Sequence, residues 1–174
     1  MRKLKNEELN RIDVKTFKLI DKLPFVIVLD NVRSLNNVGS VFRTADAFRV
    51  EEIYLCGITG TPPNKEIHKT ALGATESVDW KYYNKTLDAI IYLRSKGYIV
   101  ASVEQVENSV MLDKFVPEKD KKYAFVFGNE IKGVDQIIVD NSDLCIEIPQ
   151  FGTKHSFNIA VSAGIVVWHF FLKR

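Results

Sequence analysis

The sequence predicts an α/β protein: a mostly parallel six-stranded sheet with helices on both faces. Three observations carry that expectation. Six short apolar runs rich in Val, Ile, Phe and Tyr recur along the chain, each bounded by turn residues. Helical patterns fill the intervals between them, and strands that alternate with helices pack as a parallel sheet. The length of 174 residues suits a single domain, and 46% hydrophobic with 26% charged residues excludes a disordered or fibrous chain.

The strands are read in order as FVIVLD (25–30), EIYLCG (52–57), VDWKYY (78–83), GYIVASV (97–103), YAFVFG (123–128) and LCIEIP (144–149). Leu4 to Ile20 reads as an amphipathic opening helix. Val38 to Phe48 reads as a second, capped by Asn37. Thr86 to Lys96 ends at Gly97, whose freedom in the left-handed region suits a C-cap. Val134 to Asn141 is a short helix, and Ser156 to Leu172 closes the chain with Ser156 as its N-cap. The division is into a basic N-terminal helical arm, residues 1–22, and a single domain, residues 23–174.

Net charge is only +2, but it is unevenly placed. Residues 1–22 hold seven basic and four acidic side chains, and the rest holds 17 basic and 18 acidic ones. The positive excess therefore sits on the arm, as a solvated helix face or a phosphate-contacting one. Cys56 and Cys145 lie inside apolar runs, which points to reduced thiols in the cytoplasm rather than a disulfide framework. The N-terminus has no apolar signal core. The longest near-apolar run, Ile159 to Leu172, is too short to span a bilayer, so no membrane role is expected.

In a parallel sheet, ligands gather beyond the carboxyl ends of the strands. Three exits there are polar, glycine-bearing and rich in amides. In Asn31–Phe48, Asn36, Asn37 and Gly39 turn into a helix whose free N–H groups suit an anion or a hydroxyl. Arg43 follows six residues after Asn37, either reaching back to the loop or pairing on the helix surface with Asp46 or Glu51. In Gly128–Gly133, glycines at both ends permit tight turns and close approach of backbone to a ligand. Glu130 between them can accept from ribose hydroxyls, orient a base, or cap the next helix. Neither a P-loop nor a dinucleotide fingerprint is present. In Pro149–Asn158, His155 and Ser156 are adjacent, without a nucleophile elbow or a placed carboxylate, which excludes a Ser–His hydrolase. His68, His155 and His169 have no metal-ligand spacing with the cysteines, so no metal is expected.

Taken together, in this order and spacing, the loops resemble the SpoU/TrmH branch of the SPOUT RNA methyltransferases, the α/β-knot superfamily. LDNVRSLNNVGSVFRTADAF (29–48) is close to its N-x-G-x-x-x-R-T-A-D-A-F motif. FVFGNEIKGV (125–134) is close to G-x-E-x-x-G, and IEIPQFGTKHSFNIAVSAGI (146–165) to I-P-M-x-G-x-x-x-S-L-N-V-S-x-A. KTALGATESVDW (69–80) resembles the stretch after the second strand. The likeness covers about residues 24–170. Gln150 replaces the usual methionine, Phe157 the usual leucine, and Asn129 a frequent alanine.

The resemblance implies transfer of a methyl group from S-adenosylmethionine to a ribose 2′-hydroxyl of RNA. It also implies a C-terminal deep trefoil knot, against the usual rule that chains do not thread loops. It implies a homodimer with the site near the subunit interface. Residue by residue, it assigns catalysis to Arg43, with Asn37, Glu130, Ser156 and Asn158 shaping the site. It places Gly128, Ile148 and Phe157 in the cofactor pocket, with Val103 beside them. The expected partner is RNA and not DNA, tRNA before ribosomal RNA. Beside the arm, Lys65, His68, Lys69, Lys132 and Lys154 are candidate RNA contacts. The rival reading is a non-catalytic RNA-binding or assembly protein with a vestigial pocket.

Overall fold

The first apolar run folds as β1, Leu23–Asp30, whose alternate residues face opposite sides of a sheet. A computed structural model describes residues 1–174. Before β1 come a 3-10 turn, Asn6–Leu9, and α1, Val14–Leu19. After it the chain runs through α2 (Leu35–Ala47), β2 (Val50–Cys56), α3 (Lys65–Ala71), α4 (Ala74–Ser77) and β3 (Trp80–Tyr83). Then come α5 (Thr86–Ser95), β4 (Tyr98–Val103), β5 (Val110–Met111) and β6 (Lys122–Phe127). It ends with α6 (Gln136–Asp140), β7 (Leu144–Glu147) and α7 (Ile159–Lys173).

The strands form one sheet in the order β3-β2-β1-β6-β4-β7-β5, and every ladder is parallel. β7 follows both β4 and β5 in the chain, yet lies between them. Phe25, Ile27 and Leu29 of β1, with Ile53, Leu55, Phe125 and Phe127, are buried beneath α2, α3 and α7. Val26 and Val28, with Tyr54, Cys56, Ala124 and Val126, are buried beneath α5 and α6. Helices thus cover both faces, and this is why the central strands read as unbroken apolar runs. Burial, and secondarily the nearby Asp30, push the Cys56 thiol up to about 12, so it stays protonated. No helix is long and apolar enough to cross a membrane.

Several expectations need correction. The sheet has seven strands, because the two-residue β5 pairs with β7 (Val110↔Ile146, Met111↔Glu147). The opening helix is not continuous from Leu4 to Ile20. Asn10 turns left-handed after the 3-10 turn, and Asp13 then caps a new helix by accepting from Thr16 N at 2.7 Å. Helix α2 starts earlier than expected, capped by Ser34 rather than Asn37; Ser34 Oγ accepts from Asn37 N. Helix α7 is capped by Asn158 rather than Ser156, its Oδ1 accepting from Ala160 N at 2.9 Å. Helices α3 and α4 were not expected; Leu72 and Gly73, both with positive φ, separate them. His169 is a structural residue, its ring nitrogen donating to the Phe115 carbonyl at 2.7 Å.

Gly39 explains how α3 docks on α2. A Cβ there would lie 2.1 Å from Thr70 Oγ1 and 2.3 Å from the Ile67 carbonyl. The motif-one glycine is therefore a packing residue at a helix crossing. Gly39→Ala gains about 1 kcal/mol of helix propensity, but overpacking costs about 1–3 kcal/mol. The expected result is net destabilisation, with thermal unfolding moved down by about 2–4 °C per kcal/mol. A melting temperature equal to or above the parent's refutes the packing role.

Candidate active site

Because all strands are parallel and β1, β6, β4 and β7 are consecutive in the sheet, their carboxyl ends line one edge. Loops distant in sequence therefore meet there. Buried Asp30 ends β1 and anchors the first turn. It accepts from Thr86 Oγ1, from Asn31 Nδ2 at 2.9 Å and from Asp135 N at 3.1 Å. Burial pushes its pKa up, and these hydrogen bonds oppose that rise. Asn31 takes a left-handed φ of 55°, and its carbonyl accepts from Asn129 Nδ2 at 2.8 Å. The first loop is thus tied to the second.

The second loop closes on itself. Asn129 and Gly133 exchange both backbone hydrogen bonds at 2.9 Å, and Asn129 Oδ1 accepts from Ile131 N and Lys132 N. A Cβ on Gly128 would lie 2.1 Å from the Gly133 carbonyl carbon, so only glycine allows this closure. Gly133 itself sits at φ 71°.

Glu130 projects from that turn into the first loop. Its carboxylate accepts from Arg33 N at 3.0 Å, Ser34 N at 2.9 Å and Asn37 Nδ2 at 3.2 Å. Asn37 Oδ1 accepts in turn from Asn158 Nδ2 at 3.1 Å. Asn158 Oδ1 then caps α7. One residue from each of the three sequence motifs is joined in a single chain. Its direction is fixed at both ends. A carboxylate only accepts, so Asn37 must turn its amide nitrogen to Glu130; a helix N-terminus only donates, so Asn158 must turn its oxygen to α7. Partial burial raises the Glu130 pKa, but the N–H donors outweigh it and hold the carboxyl below its usual range.

Beside this chain opens a cavity of about 510 Å³. Val103, Gly128, Ile148 and Phe157 all line it, as do Glu130, Ser156 and Asn158. Ser156 is exposed. Ser156 lines the cavity without joining the hydrogen-bonded chain, and Arg43 is brought into neither. It is exposed on α2, on the helix face shared with Asn36 and Ser40, and it is not among the cavity-lining residues. It has neither of the surface partners weighed for it: Asp46 accepts from Ser77 Oγ, and Glu51 pairs with Lys122. Glu104 and Gln105 also line the cavity. They carry no motif, and their only signal was two polar residues at a strand exit.

Residues 24–168 match the SpoU rRNA Methylase family. The chain belongs to that family. A Borreliella burgdorferi protein named an uncharacterized tRNA/rRNA methyltransferase is 30% identical over 89% of this chain and 66% of its own length. The 23S rRNA (guanosine-2′-O-)-methyltransferase RlmB of Neisseria meningitidis is 28% identical over 83% of this chain and 56% of its own. The chain thus spans just under two thirds of the first relative and little over half of the second. Among solved structures, the A. aeolicus TrmH/SpoU tRNA modifying enzyme superposes with a TM-score of 0.81 at 24% identity, over 92% of this chain and 82% of that one. The AdoMet-bound rRNA methyltransferase of Sinorhizobium meliloti gives 0.79 at 27% identity, over 88% and 58%.

The SpoU-family site carries a pH signature. Glu130's folded pKa is lowered, so its stabilising contribution is complete above the unfolded value of 4.5 and is lost as pH falls through the folded value. Glu130→Gln is expected to melt below the parent at pH 7, with the gap narrowing below about pH 4.5. A gap that is constant across pH 7 to 3 refutes the charge-assisted role.

Proposed function

We propose that this protein transfers a methyl group from S-adenosylmethionine to a ribose 2′-hydroxyl of RNA, with tRNA as the favoured substrate. The observation that carries the reading is the Glu130–Asn37–Asn158 chain set against a cavity lined by Val103, Gly128, Ile148 and Phe157. The cavity suits the cofactor in size and chemistry. Pockets for such ligands run to about 300–1,000 Å³. Ile146 and Ile148 give apolar surface for a purine, and carboxylates outnumber cations among the lining residues, which suits a cationic ligand. When bound, S-adenosylmethionine supplies an activated methyl group for in-line displacement. The 2′-oxygen chemistry is supported by what the RlmB relative is named for, and RNA as the substrate by that name and by the relative named a tRNA/rRNA methyltransferase.

In this reading the protein's own work is alignment and electrostatics. Glu130, Asn37 and Asn158 hold the loops in register, and Ser156 and Asn158 present polar groups to the ribose. A free guanidinium stays protonated and is a poor base. Arg43 binds the phosphate next to the target ribose and stabilises the developing oxyanion as the 2′-proton passes to solvent. The arm, residues 1–22, adds phosphate contacts that position the RNA without reading its sequence.

Two features of the assembly belong to the same proposal. The exposed face of α7 presents Trp168 and Phe171 in an aromatic cluster with Phe48, with exposed Leu172 next in the chain, which supports a homodimer. Arg43's place outside the cavity fits a site completed at that interface. The position of β7 between β4 and β5 supports a C-terminal trefoil knot.

The test incubates the protein with labelled S-adenosylmethionine and separate tRNA and ribosomal RNA pools, then maps 2′-O-methyl nucleotides. Label in the tRNA pool is the expected result; label only in ribosomal RNA corrects the substrate. Absence of cofactor binding overturns the reading in favour of a non-catalytic RNA-binding protein. Arg43→Ala is expected to lower turnover by about 100-fold or more while cofactor affinity is retained. Near-normal turnover in that variant removes Arg43 from the chemistry.

A further inference from the structure

The motif-derived residues tie the three loops together on one side of the cavity. A second set of contacts ties them on another. Glu104 is the first residue after β4, directly following the pocket residue Val103. Its backbone N–H donates to the Ile146 carbonyl of β7 at 3.0 Å. Its Oε2 accepts from Val134 N at 2.9 Å, at the end of the second loop, and its Oε1 accepts from Gln105 N at 2.8 Å. Gln105 Nε2 then donates to the His155 carbonyl in the third loop at 2.8 Å. Two adjacent residues thus hold β7, the second loop and the third loop against the β4 exit, and both line the cavity.

Gly133 records how close this contact is. A Cβ at that position would lie 2.1 Å from Glu104 Oε2. The loop needs glycine there for its positive φ, and a larger side chain would displace the carboxylate packed against it. The third loop has few other restraints. Residues 151–158 are all exposed, and the Gln105 bond is the side-chain hydrogen bond that reaches its middle.

We propose that Glu104 and Gln105 are positioning residues of the cofactor cavity, fixing the second and third loops at the spacing S-adenosylmethionine requires. This rests on the methyltransferase reading above. Neither residue touches the reacting atoms in it, and neither hydrogen-bonds to Arg43 or the Glu130 chain. Their loss therefore loosens cofactor binding and leaves the chemistry of bound cofactor in place.

The experiment measures S-adenosylmethionine and S-adenosylhomocysteine affinity by titration calorimetry, and steady-state methylation of RNA, for the parent, Glu104→Ala, Glu104→Gln and Gln105→Ala. Glu104→Ala is expected to weaken both ligands about tenfold or more, with kcat at saturating cofactor and KM for RNA within about twofold of the parent. Glu104→Gln keeps one acceptor oxygen where the carboxylate offered two, so its loss is intermediate, and it serves where the alanine variant fails to fold. Amide hydrogen exchange is expected to rise at Val134 in Glu104→Ala and across 152–157 in Gln105→Ala. Parent-like affinity in Glu104→Ala and Gln105→Ala, with the parent binding normally, overturns this proposal alone. A lower kcat, a higher RNA KM and a lower melting temperature alongside the weaker cofactor binding also overturn it, by reducing the pair to a general structural role. A parent protein that binds neither ligand overturns the functional reading and this proposal with it.

Discussion

A carboxylate can only accept hydrogen bonds and a helix N-terminus can only donate them, and the arrangement of this protein's loops follows from placing two amide side chains between those ends. Glu130 orients Asn37, Asn37 orients Asn158, and Asn158 satisfies the first amides of α7. Each link has one allowed direction. No member can be inverted without leaving two donors or two acceptors face to face. Three loops separated by up to 121 residues are held by polarity rather than by apolar packing alone. The sheet makes this possible, because its parallel order brings the relevant strand ends to one edge.

Glycine does different work at neighbouring points of the same edge. Gly128 admits the returning backbone of its own loop, Gly133 admits a side chain from β4, and Gly39 admits a neighbouring helix. Only Gly133 among the three has positive φ. The other two are required for space and not for conformation.

The strands and long helices were legible because burial on both faces leaves unbroken β-branched and aromatic runs, and Gly97 marks a helix end by composition. The short elements were not. β5 is two residues long, held by β7 across 36 positions, and nothing local in Val110–Met111 announces it. Helices α3 and α4 fall below the length at which periodicity speaks. The caps were misplaced by two or three residues because Ser34, Asn37, Ser156 and Asn158 are all good capping types, and tertiary contacts decide between them. Asn37 is occupied by Glu130 and Asn158, so Ser34 takes the cap. The site was legible as three motifs, and the bonds that join them are invisible to spacing. Glu104 was missed because a glutamate after a strand is an ordinary surface residue until Gly133 and Val134 are seen beside it.

The insertion of β7 between β4 and β5 sets an order of assembly. A strand normally joins a sheet at a free edge, but β7 occupies an interior slot whose far wall is formed by residues that precede it. Its pairing with β4 spans 43 positions, as in Ala101↔Leu144, so loop closure comes before any reward from contact. The brevity of β5 eases this, since a two-residue strand is held aside at the loss of only two paired positions. The cavity takes part of its wall from β7, through Ile146 and Glu147, so it is complete only with β7 seated in that slot, and a chain in which β7 is unseated has no binding capacity.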